Sequence, residues 1–393
     1  MAILLALTSL GSAPKTKPLK PEPLPILPAE EVWTAKFDVP PAANAFMDGE
    51  RVYVPLQVRG IRALVRATGA PLWSEPVDLT HPPLGAGGQL LIALPSELRA
   101  LDPATGGLRW VRALDRPLAA ELTATNGLVL AVTDAGDALA IRAEDGETVW
   151  RRSLGAVSRH VPAWLSPATA VLTLADGRVM ALDARSGATV WERSLPGTPS
   201  APATARDRVF VGSTNNFFYA LDARSGDERW RWRTGGDVVG AAADGERVYF
   251  VSLDNLLRAV NRDNGNQLWK TSLPTRPSAP PMAFGDTVVL TGVAPRFDAY
   301  NGKTGAALGS FTAPADLQGV PLIDRTPIPF QVAIVALTRD GRLSALRPTG
   351  LMFPDPPLVP LLKLPGRELP KTTPNFQLPT PNPLNSQPLN SPT

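Results

Sequence analysis

The chain has 393 residues, a formal net charge of +3 and no cysteine. The lack of thiols excludes disulfide bonds, thiolate nucleophiles, cysteine-ligated metals and a lipid-modified cysteine within this sequence. Lysine and arginine are scattered among aspartate and glutamate without a long basic run, so nucleic acid is not an expected partner. A chain of this length is too long for one ordinary compact core, but it suits modular repeats that each pack against a neighbour.

The two ends of the chain differ in composition from its middle. Residues 1–13 are apolar and end in small residues, as in a secretory signal, but they lack the basic residues that should come first. They are shorter than the roughly 20 apolar residues that span a bilayer, and the alternative interpretation is a packed or disordered N-terminus. Residues 14–30 are predicted to form a Pro-rich linker, residues 31–353 contain repeats, and residues 354–393 form a Pro/Asn/Ser/Thr-rich tail that we expect to be disordered.

A motif centred on glycine recurs eight times between residues 31 and 353, at spacings of 37 to 45 residues. A Ser, Thr, Asp or Asn precedes each glycine, and an alanine lies five or six residues before it. Tryptophan follows four residues after the glycine in six copies, whereas the seventh copy has Gly309 there and the eighth has Pro354. The repeat glycines are Gly69, Gly106, Gly146, Gly187, Gly226, Gly265, Gly305 and Gly350, and the tryptophans are Trp73, Trp110, Trp150, Trp191, Trp230 and Trp269.

The residue types in this motif indicate hairpins joined into a larger repeat. Glycine supplies the positive φ that a tight turn needs, and tryptophan supplies a large apolar surface. Four short runs per copy are suited to strands, and a period near 40 residues is typical of a propeller blade. The sequence therefore predicts an all-β fold, an eight-bladed β-propeller of four-stranded antiparallel blades.

The N-terminal strand is predicted to close this ring. Val32–Phe37 has the pattern of the tryptophan strand, and Trp33 lies 40 residues before Trp73, but no glycine turn precedes it. We predict that this segment completes the last blade, beside the strand that ends near Arg347. Closure of this kind removes exposed strand edges, which otherwise invite aggregation.

The motif A-x-D-x-x-T-G-x-x-x-W resembles the repeat of pyrroloquinoline-quinone-like (PQQ-like) propellers, as Ala181, Asp183, Gly187 and Trp191 illustrate. The resemblance implies that each tryptophan docks between neighbouring blades. It is strongest to the non-catalytic BamB-type branch, because the blades are nearly bare and the vicinal cysteines of many quinoprotein dehydrogenases are absent. No residue matches the Ca²⁺ ligands or catalytic aspartate of those dehydrogenases. No cofactor is therefore predicted, and PQQ with Ca²⁺ is expected only under the alternative of a quinoprotein.

Several other local motifs are interpreted as turns or packing. Asn301–Thr304 is similar to the end of a phosphate-binding loop and Asn261–Gly265 to part of a calcium loop, but both lack required residues and lie in phase with the repeat turns. His81 and His160 have no local pattern of a metal site or catalytic triad. Trp232, which the repeat does not explain, is the candidate interaction residue, with packing as its alternative interpretation.

These features predict a monomeric, non-catalytic scaffold for protein–protein interaction in the cell envelope, in the periplasm and in outer-membrane protein assembly. Its expected partners are other envelope proteins, with no nucleic acid and no transmembrane span. Two alternatives remain open. One is a PQQ-dependent quinoprotein oxidoreductase or ligand sensor, and the other is a cytoplasmic propeller that binds an unknown small ligand.

Overall fold

The computed structural model describes residues 26–324 and 331–349. Within these residues every regular element is a β-strand, and the strands form eight four-stranded antiparallel sheets arranged as the blades of a ring. The prediction of an all-β, eight-bladed propeller is confirmed. The signal-like segment 1–13, most of the predicted linker, the turn at Gly350 and the tail 354–393 lie outside the described residues.

The first half of the ring consists of blades 1 to 4, preceded by one strand that belongs to the last blade. In chain order these strands are β1 (Ala29–Lys36), β2 (Phe46–Met47), β3 (Arg51–Leu56), β4 (Gly60–Val65), β5 (Pro71–Glu75), β6 (Leu84–Ala86), β7 (Gln89–Ala93), β8 (Glu97–Leu101), β9 (Leu108–Ala113), β10 (Thr123–Thr125), β11 (Leu128–Val132), β12 (Asp137–Arg142), β13 (Thr148–Ser153), β14 (Ala163–Ser166), β15 (Thr169–Thr173), β16 (Arg178–Asp183) and β17 (Thr189–Ser194).

The second half of the ring consists of blades 5 to 8. Its strands are β18 (Ala203–Ala205), β19 (Arg208–Ser213), β20 (Phe217–Asp222), β21 (Glu228–Arg233), β22 (Val238–Ala243), β23 (Arg247–Ser252), β24 (Leu256–Asn261), β25 (Gln267–Ser272), β26 (Met282–Phe284), β27 (Thr287–Thr291), β28 (Arg296–Asn301), β29 (Ala307–Thr312), β30 (Leu322–Ile323), β31 (Ile334–Leu337) and β32 (Arg342–Pro348).

Each blade orders its strands from the inside of the ring to the outside, and in blades 1 to 7 all four strands are consecutive in the chain. Blade 1 is β2 to β5, blade 5 is β18 to β21, and the others follow the same pattern up to blade 8. The hairpins between second and third strands therefore lie at one end of the ring, which we call the hairpin face. The glycine turns between third and outer strands lie at the opposite end, which we call the turn face.

The N-terminal strand closes the ring as predicted. β1 is the outer strand of blade 8 and pairs antiparallel with β32, with Trp33 opposite Ala345. Its bounds differ from the predicted Val32–Phe37, because pairing with β32 already begins at Ala29. Ion pairs join the two strands, including Glu31 to Arg342 at 3.2 Å. The outer strand of blade 8 is thus supplied by the N-terminal part of the described chain.

The core is divided among the contacts between blades. The second and third strands of each blade are almost wholly buried, while the outer strands alternate between half-buried and exposed residues. Leu91 and Ala100 of blade 2, for example, pack in one cluster with Val129 and Ile141 of blade 3. Because each blade buries its apolar face only against its neighbours, the ring depends on how adjacent blades are joined.

Part of the predicted linker belongs to this core. Ile26 and Leu27 are 3% and 4% exposed and pack in a cluster with Phe297 of blade 7 and Leu346 of blade 8. These two residues of the predicted linker therefore pack into the core of the ring. The part of the chain that the structure describes contains no helix long and apolar enough to cross a membrane.

Candidate functional site

Seven tryptophans form the same contact between neighbouring blades. Each indole Nε1 donates a hydrogen bond of 2.8–3.1 Å to a backbone carbonyl of the next blade, three residues before that blade's repeat glycine. The contact therefore fixes both the packing and the spacing of adjacent blades. The donor–acceptor pairs are Trp33–Arg66, Trp73–Pro103, Trp110–Ala143, Trp150–Ala184, Trp191–Ala223, Trp230–Arg262 and Trp269–Gly302.

Each of these indoles packs directly against the repeat glycine of the next blade. A Cβ on any of the seven described repeat glycines would stand 2.5–2.8 Å from an atom of the tryptophan of the preceding blade, a distance that real Cβ atoms do not adopt. The same glycines have φ between +70° and +75°, which also disfavours a side chain. Gly226, for example, has φ +73° and lies against Trp191. Turn geometry and indole packing thus require glycine independently, and both make these positions structural.

The contact between blades 7 and 8 has no tryptophan. Gly309 occupies the tryptophan position, and the atom nearest to a Cβ built on it would be the Cβ of Leu27, at 3.5 Å. The N-terminal segment therefore fills the gap that the other blades fill with indole. This role of Leu27 was not predicted from the sequence, although the sequence shows both the loss of tryptophan at Gly309 and the apolar pair Ile26–Leu27 in a Pro-rich stretch.

The two histidines lie in connections that enter inner strands at the hairpin face. His81 leads into blade 2 and His160 into blade 4, so blade 3 lies between them. Burial lowers the pKa of both imidazoles, and for His160 a hydrogen bond with the backbone of Pro199 acts in the opposite direction. Across residues 26–324 and 331–349, no group of three or more His, Asp and Glu side chains is placed to hold a metal ion. The histidines are therefore not joined by carboxylates into a donor set.

A small cavity opens between blades 7 and 8 at the hairpin face. It has a volume of about 220 Å³ and is lined in part by Ser278, Thr291, Gln318 and Arg339. The hydroxyl of Thr291 is buried without a hydrogen-bond partner among the described residues. Drug-sized ligands usually occupy pockets of roughly 300–1,000 Å³ with an apolar lining, so this cavity suits the edge of a protein contact better than a cofactor.

Exposed apolar side chains mark the hairpins on either side of blade 8. Val58 in the hairpin of blade 1 is 91% exposed, and Val293 in the hairpin of blade 7 is 71% exposed. These are the two most exposed large apolar side chains among the described residues. Val293 also borders the 220 Å³ cavity, together with Arg339 in the hairpin of blade 8. We call Val58, Val293 and Arg339 the hairpin cluster.

Trp232 lies on the outer strand of blade 5, with its indole toward the neighbouring blade. It is half-buried and packs against a cluster that contains Phe218 and Phe250. The alternate residues of the same strand, Arg231 among them, are exposed. The structure thus places the tryptophans of this segment against the ring and its arginines toward solvent.

Comparison with protein families places most of the chain in one group. Residues 59–202 and 175–346 match the family model described as outer membrane protein assembly factor BamB. The two matches together extend over residues 59–346, well over half of the chain. Among curated proteins, no sequence matches.

Solved structures show the same fold at low sequence identity. BamB from Moraxella catarrhalis is 19% identical with a TM-score of 0.62, and the alignment covers 81% of this chain and 99% of that one. Quinohemoprotein alcohol dehydrogenase ADHIIG from Pseudomonas putida HK5 is 12% identical with a TM-score of 0.63, covering 82% and 76%. Sqt1 from Saccharomyces cerevisiae is 10% identical with a TM-score of 0.68, covering 81% and 99%. At these identities the likenesses concern the fold alone.

Proposed function

Because the chain belongs to the family of PQQ-like propellers described as outer membrane protein assembly factor BamB, we propose that it is a non-catalytic scaffold for protein–protein contacts in the cell envelope. The specific process we propose is outer-membrane protein assembly. The partners are then other envelope proteins, and the location is outside the cytoplasm, in the periplasm.

The observation that carries this proposal is the contrast between a rigid ring and its exposed loops. Seven indole contacts join the blades, and the most exposed large apolar side chains of the described chain, Val58 and Val293, project from hairpins at one end. Binding residues concentrate on loops that a rigid scaffold positions. An exposed apolar side chain in such a place stabilises a contact only when a partner covers it.

Charge supports an apolar contact at the hairpin face. Several ionic side chains there are already matched within the ring, as in the pairs Arg59–Asp38 at 2.9 Å and Arg116–Asp134 at 3.0 Å. Arg339 has no ion pair among the described residues, and it lies beside Val293 at the edge of the cavity. A partner surface with a carboxylate between two apolar patches fits the hairpin cluster, because Arg339 lies in the hairpin of blade 8, between the hairpins of Val58 and Val293.

The quinoprotein alternative makes a different demand on the ring. A bound quinone requires cations or amides for its carboxylates, aromatic stacking partners and a metal site. The inner strands β18 and β22 consist mostly of small residues, whereas β2, β14 and β26 carry Phe46, Trp164 and Phe284. Within the described ranges no cluster of His, Asp and Glu suits a metal. We propose that the protein acts without a cofactor, since the described residues offer no cluster of His, Asp and Glu for the Ca²⁺ that would accompany PQQ.

The proposal is tested by cross-linking in intact cells, followed by purification of the tagged protein and identification of the attached chains. We expect envelope proteins of the outer-membrane assembly machinery, and we expect their yield to fall at least tenfold in a Val58→Ser, Val293→Ser double variant. Val149→Ser is the matched control, because Val149 is an exposed valine, 44% accessible, on an outer strand. Recovery of no envelope protein would contradict the proposed function. Equal recovery from the double variant and the control would contradict the role of the hairpin cluster.

A further inference from the structure

The outer strand of blade 5 presents three arginines in a row to solvent. In β21, Trp230 and Trp232 face the ring, whereas Arg229, Arg231 and Arg233 occupy the alternate, exposed positions. Residues two apart on a strand are separated by about 6.6–6.8 Å and lie on one face. We call these three side chains the arginine row. β21 is also the last strand in its sheet, so its outer backbone edge has no strand partner within the described residues.

The other seven blades show that the fold does not require this row. Their outer strands have exposed residues at the same three positions, namely one residue before the tryptophan position, one after it and three after it. None of those strands has more than one charged residue among the three. The equivalent sets are Val32, Thr34, Lys36; Leu72, Ser74, Pro76; Arg109, Val111, Ala113; Val149, Arg151, Ser153; Val190, Glu192, Ser194; Leu268, Lys270, Ser272; and Leu308, Ser310, Thr312.

Edge protection therefore does not explain the arginine row. Charged residues on an edge strand discourage unwanted pairing, but one charge or none suffices on the seven other outer strands. The position before the tryptophan is apolar in six blades and is arginine in two, as Arg109 in blade 2 and Arg229 in blade 5. Some other blades thus have a cation at one of the three positions, and blade 5 differs in having a cation at all three positions that a strand added outside β21 would meet.

Along the arginine row, ion pairing with carboxylates becomes weaker from Arg229 toward Arg233, that is, toward the hairpin face. Arg229 forms an ion pair with Asp222 at 2.6 Å. Arg231 is 3.6 Å from Glu228, and its guanidinium lies 5.3 Å from the ring centre of Phe217. Arg233, the last of the three, has no ion pair within residues 26–324 and 331–349. Arg233 therefore keeps unneutralised charge among the described residues, whereas Arg231 has an ion pair only at the longer distance of 3.6 Å.

The strand that carries the arginine row is fixed in place, and the spacing of the row matches that of alternate side chains on a paired strand. The tryptophans on the opposite face of β21 are anchored, since Trp230 donates to the carbonyl of Arg262 at 3.0 Å and Trp232 packs in the cluster with Phe218. A strand that pairs with the open edge would place every second side chain beside an arginine, because the side chains of both strands repeat with period two. Carboxylates are the groups that guanidinium binds best, through paired hydrogen bonds.

We propose that the outer edge of β21 is the docking site for an extended acidic segment of a protein partner, which adds to blade 5 as a fifth strand with carboxylates at every second residue. This inference rests on the proposed scaffold function and assigns it a second surface, separate from the hairpin cluster. Backbone hydrogen bonds to the open edge supply the affinity, and the arginine row selects an acidic sequence with alternating charge.

The test uses fluorescent octapeptides and the full-length protein at low ionic strength. One peptide alternates threonine with glutamate, the second has the same composition with its four glutamates in one block, and the third alternates threonine with lysine. Binding is followed by fluorescence anisotropy, and protection of β21 amides by hydrogen exchange. The variant is Arg231→Ser, Arg233→Ser, and its control is Lys270→Ser, on the exposed outer strand of the neighbouring blade.

We expect the alternating acidic peptide to bind at least tenfold more tightly than the block peptide and to slow exchange of β21 amides. The arginine variant should lose at least tenfold in affinity, whereas Lys270→Ser should bind as the unmodified protein does. Equal binding of the alternating and block peptides would overturn the proposal, as would binding without protection of β21. Either result leaves cross-linking at the hairpin cluster unchanged, so this inference and the proposed function fail separately.

Discussion

Leu27 takes the place of the tryptophan that Gly309 does not supply. Its Cβ lies 3.5 Å from the position of a Cβ on Gly309, and its side chain is 4% exposed between blades 7 and 8. The last contact of the ring therefore depends on a residue from the start of the described chain. Strand β1 begins two residues after Leu27, at Ala29, so ring closure combines strand pairing with the burial of an apolar side chain between blades 7 and 8.

Substitution Leu27→Ala should destabilise the ring. Removal of a buried leucine side chain typically costs about 2–5 kcal/mol, because transfer energy is lost and a cavity remains. The measurement is the midpoint of urea unfolding followed by tryptophan fluorescence. Leu108→Ala is the control, since Leu108 is 58% exposed. An equal unfolding midpoint for the two variants would show that the side chain of Leu27 does not stabilise the contact between blades 7 and 8.

The indole contacts predict a second set of stability changes. Trp191 is 6% exposed and donates to the carbonyl of Ala223 at 2.8 Å, so Trp191→Ala should cost about 3–5 kcal/mol. Trp191→Phe keeps part of the packing and should be less harmful, although it leaves the carbonyl unpaired, at about 1–3 kcal/mol. Val190→Ala, at the exposed neighbouring position, is the control. We expect the denaturation midpoint to be lowest for Trp191→Ala, higher for Trp191→Phe and highest for Val190→Ala. Any other order would contradict the docking of the Trp191 indole between blades.

The buried ion pair of blade 6 predicts a dependence on pH. Burial acts to raise the pKa of Asp254, but hydrogen bonds from Arg258 and Ser252 prevail and lower it to about 2. The pKa of an aspartate in the unfolded chain is about 4, so the ionised carboxylate of Asp254 stabilises the fold above that pH. This contribution disappears as the pH falls toward 2, the pKa in the folded state. The pKa difference corresponds to about 2 kcal/mol.

Asp254→Asn should accordingly lower the unfolding midpoint at pH 7 and differ much less from the unmodified protein at pH 2.5. The control is Asp38→Asn, because Asp38 and its partner Arg59 are both largely exposed and such pairs contribute about 0–1 kcal/mol. A constant difference between Asp254→Asn and the unmodified protein across this pH range would show that the carboxylate charge is not the cause.

The location of the protein is a separate prediction. The apolar segment 1–13, which lies outside the described residues, and the family together lead us to expect the protein outside the cytoplasm. Fractionation of cells with periplasmic and cytosolic markers, and sequencing of the N-terminus, are the measurements. Recovery of the full-length chain in the cytosol with Met1 retained would contradict this expectation.

The repeat made the fold predictable, because eight copies in phase specify eight blades whatever the details of each strand. The pairing of Trp33 with the last blade also followed from its distance to Trp73. Ile26 and Leu27 were harder to assign, because their partners in blades 7 and 8 are about 300 residues away and a Pro-rich context normally indicates a linker.

The candidate sites were less predictable than the fold. Trp232 stands out in the sequence, but strand alternation directs it toward the ring and leaves Arg231 and Arg233 outside. The exposure of Val58 and Val293 depends on which hairpins lie at the same end of the ring, and one valine in a loop has no signal of its own in a sequence. The candidate binding residues stand at positions that differ between blades. The spacing of the repeat specifies the fold, but it does not identify a binding partner.

We propose that the ring binds protein and does not turn over a substrate. Calorimetric titration of the purified protein with PQQ in the presence of Ca²⁺, with dye reduction by simple alcohols and sugars recorded on the same samples, tests it most directly. We expect no binding heat beyond dilution and no dye reduction. Micromolar or tighter binding of the quinone with reduction of the dye would contradict the scaffold function and support a quinoprotein oxidoreductase.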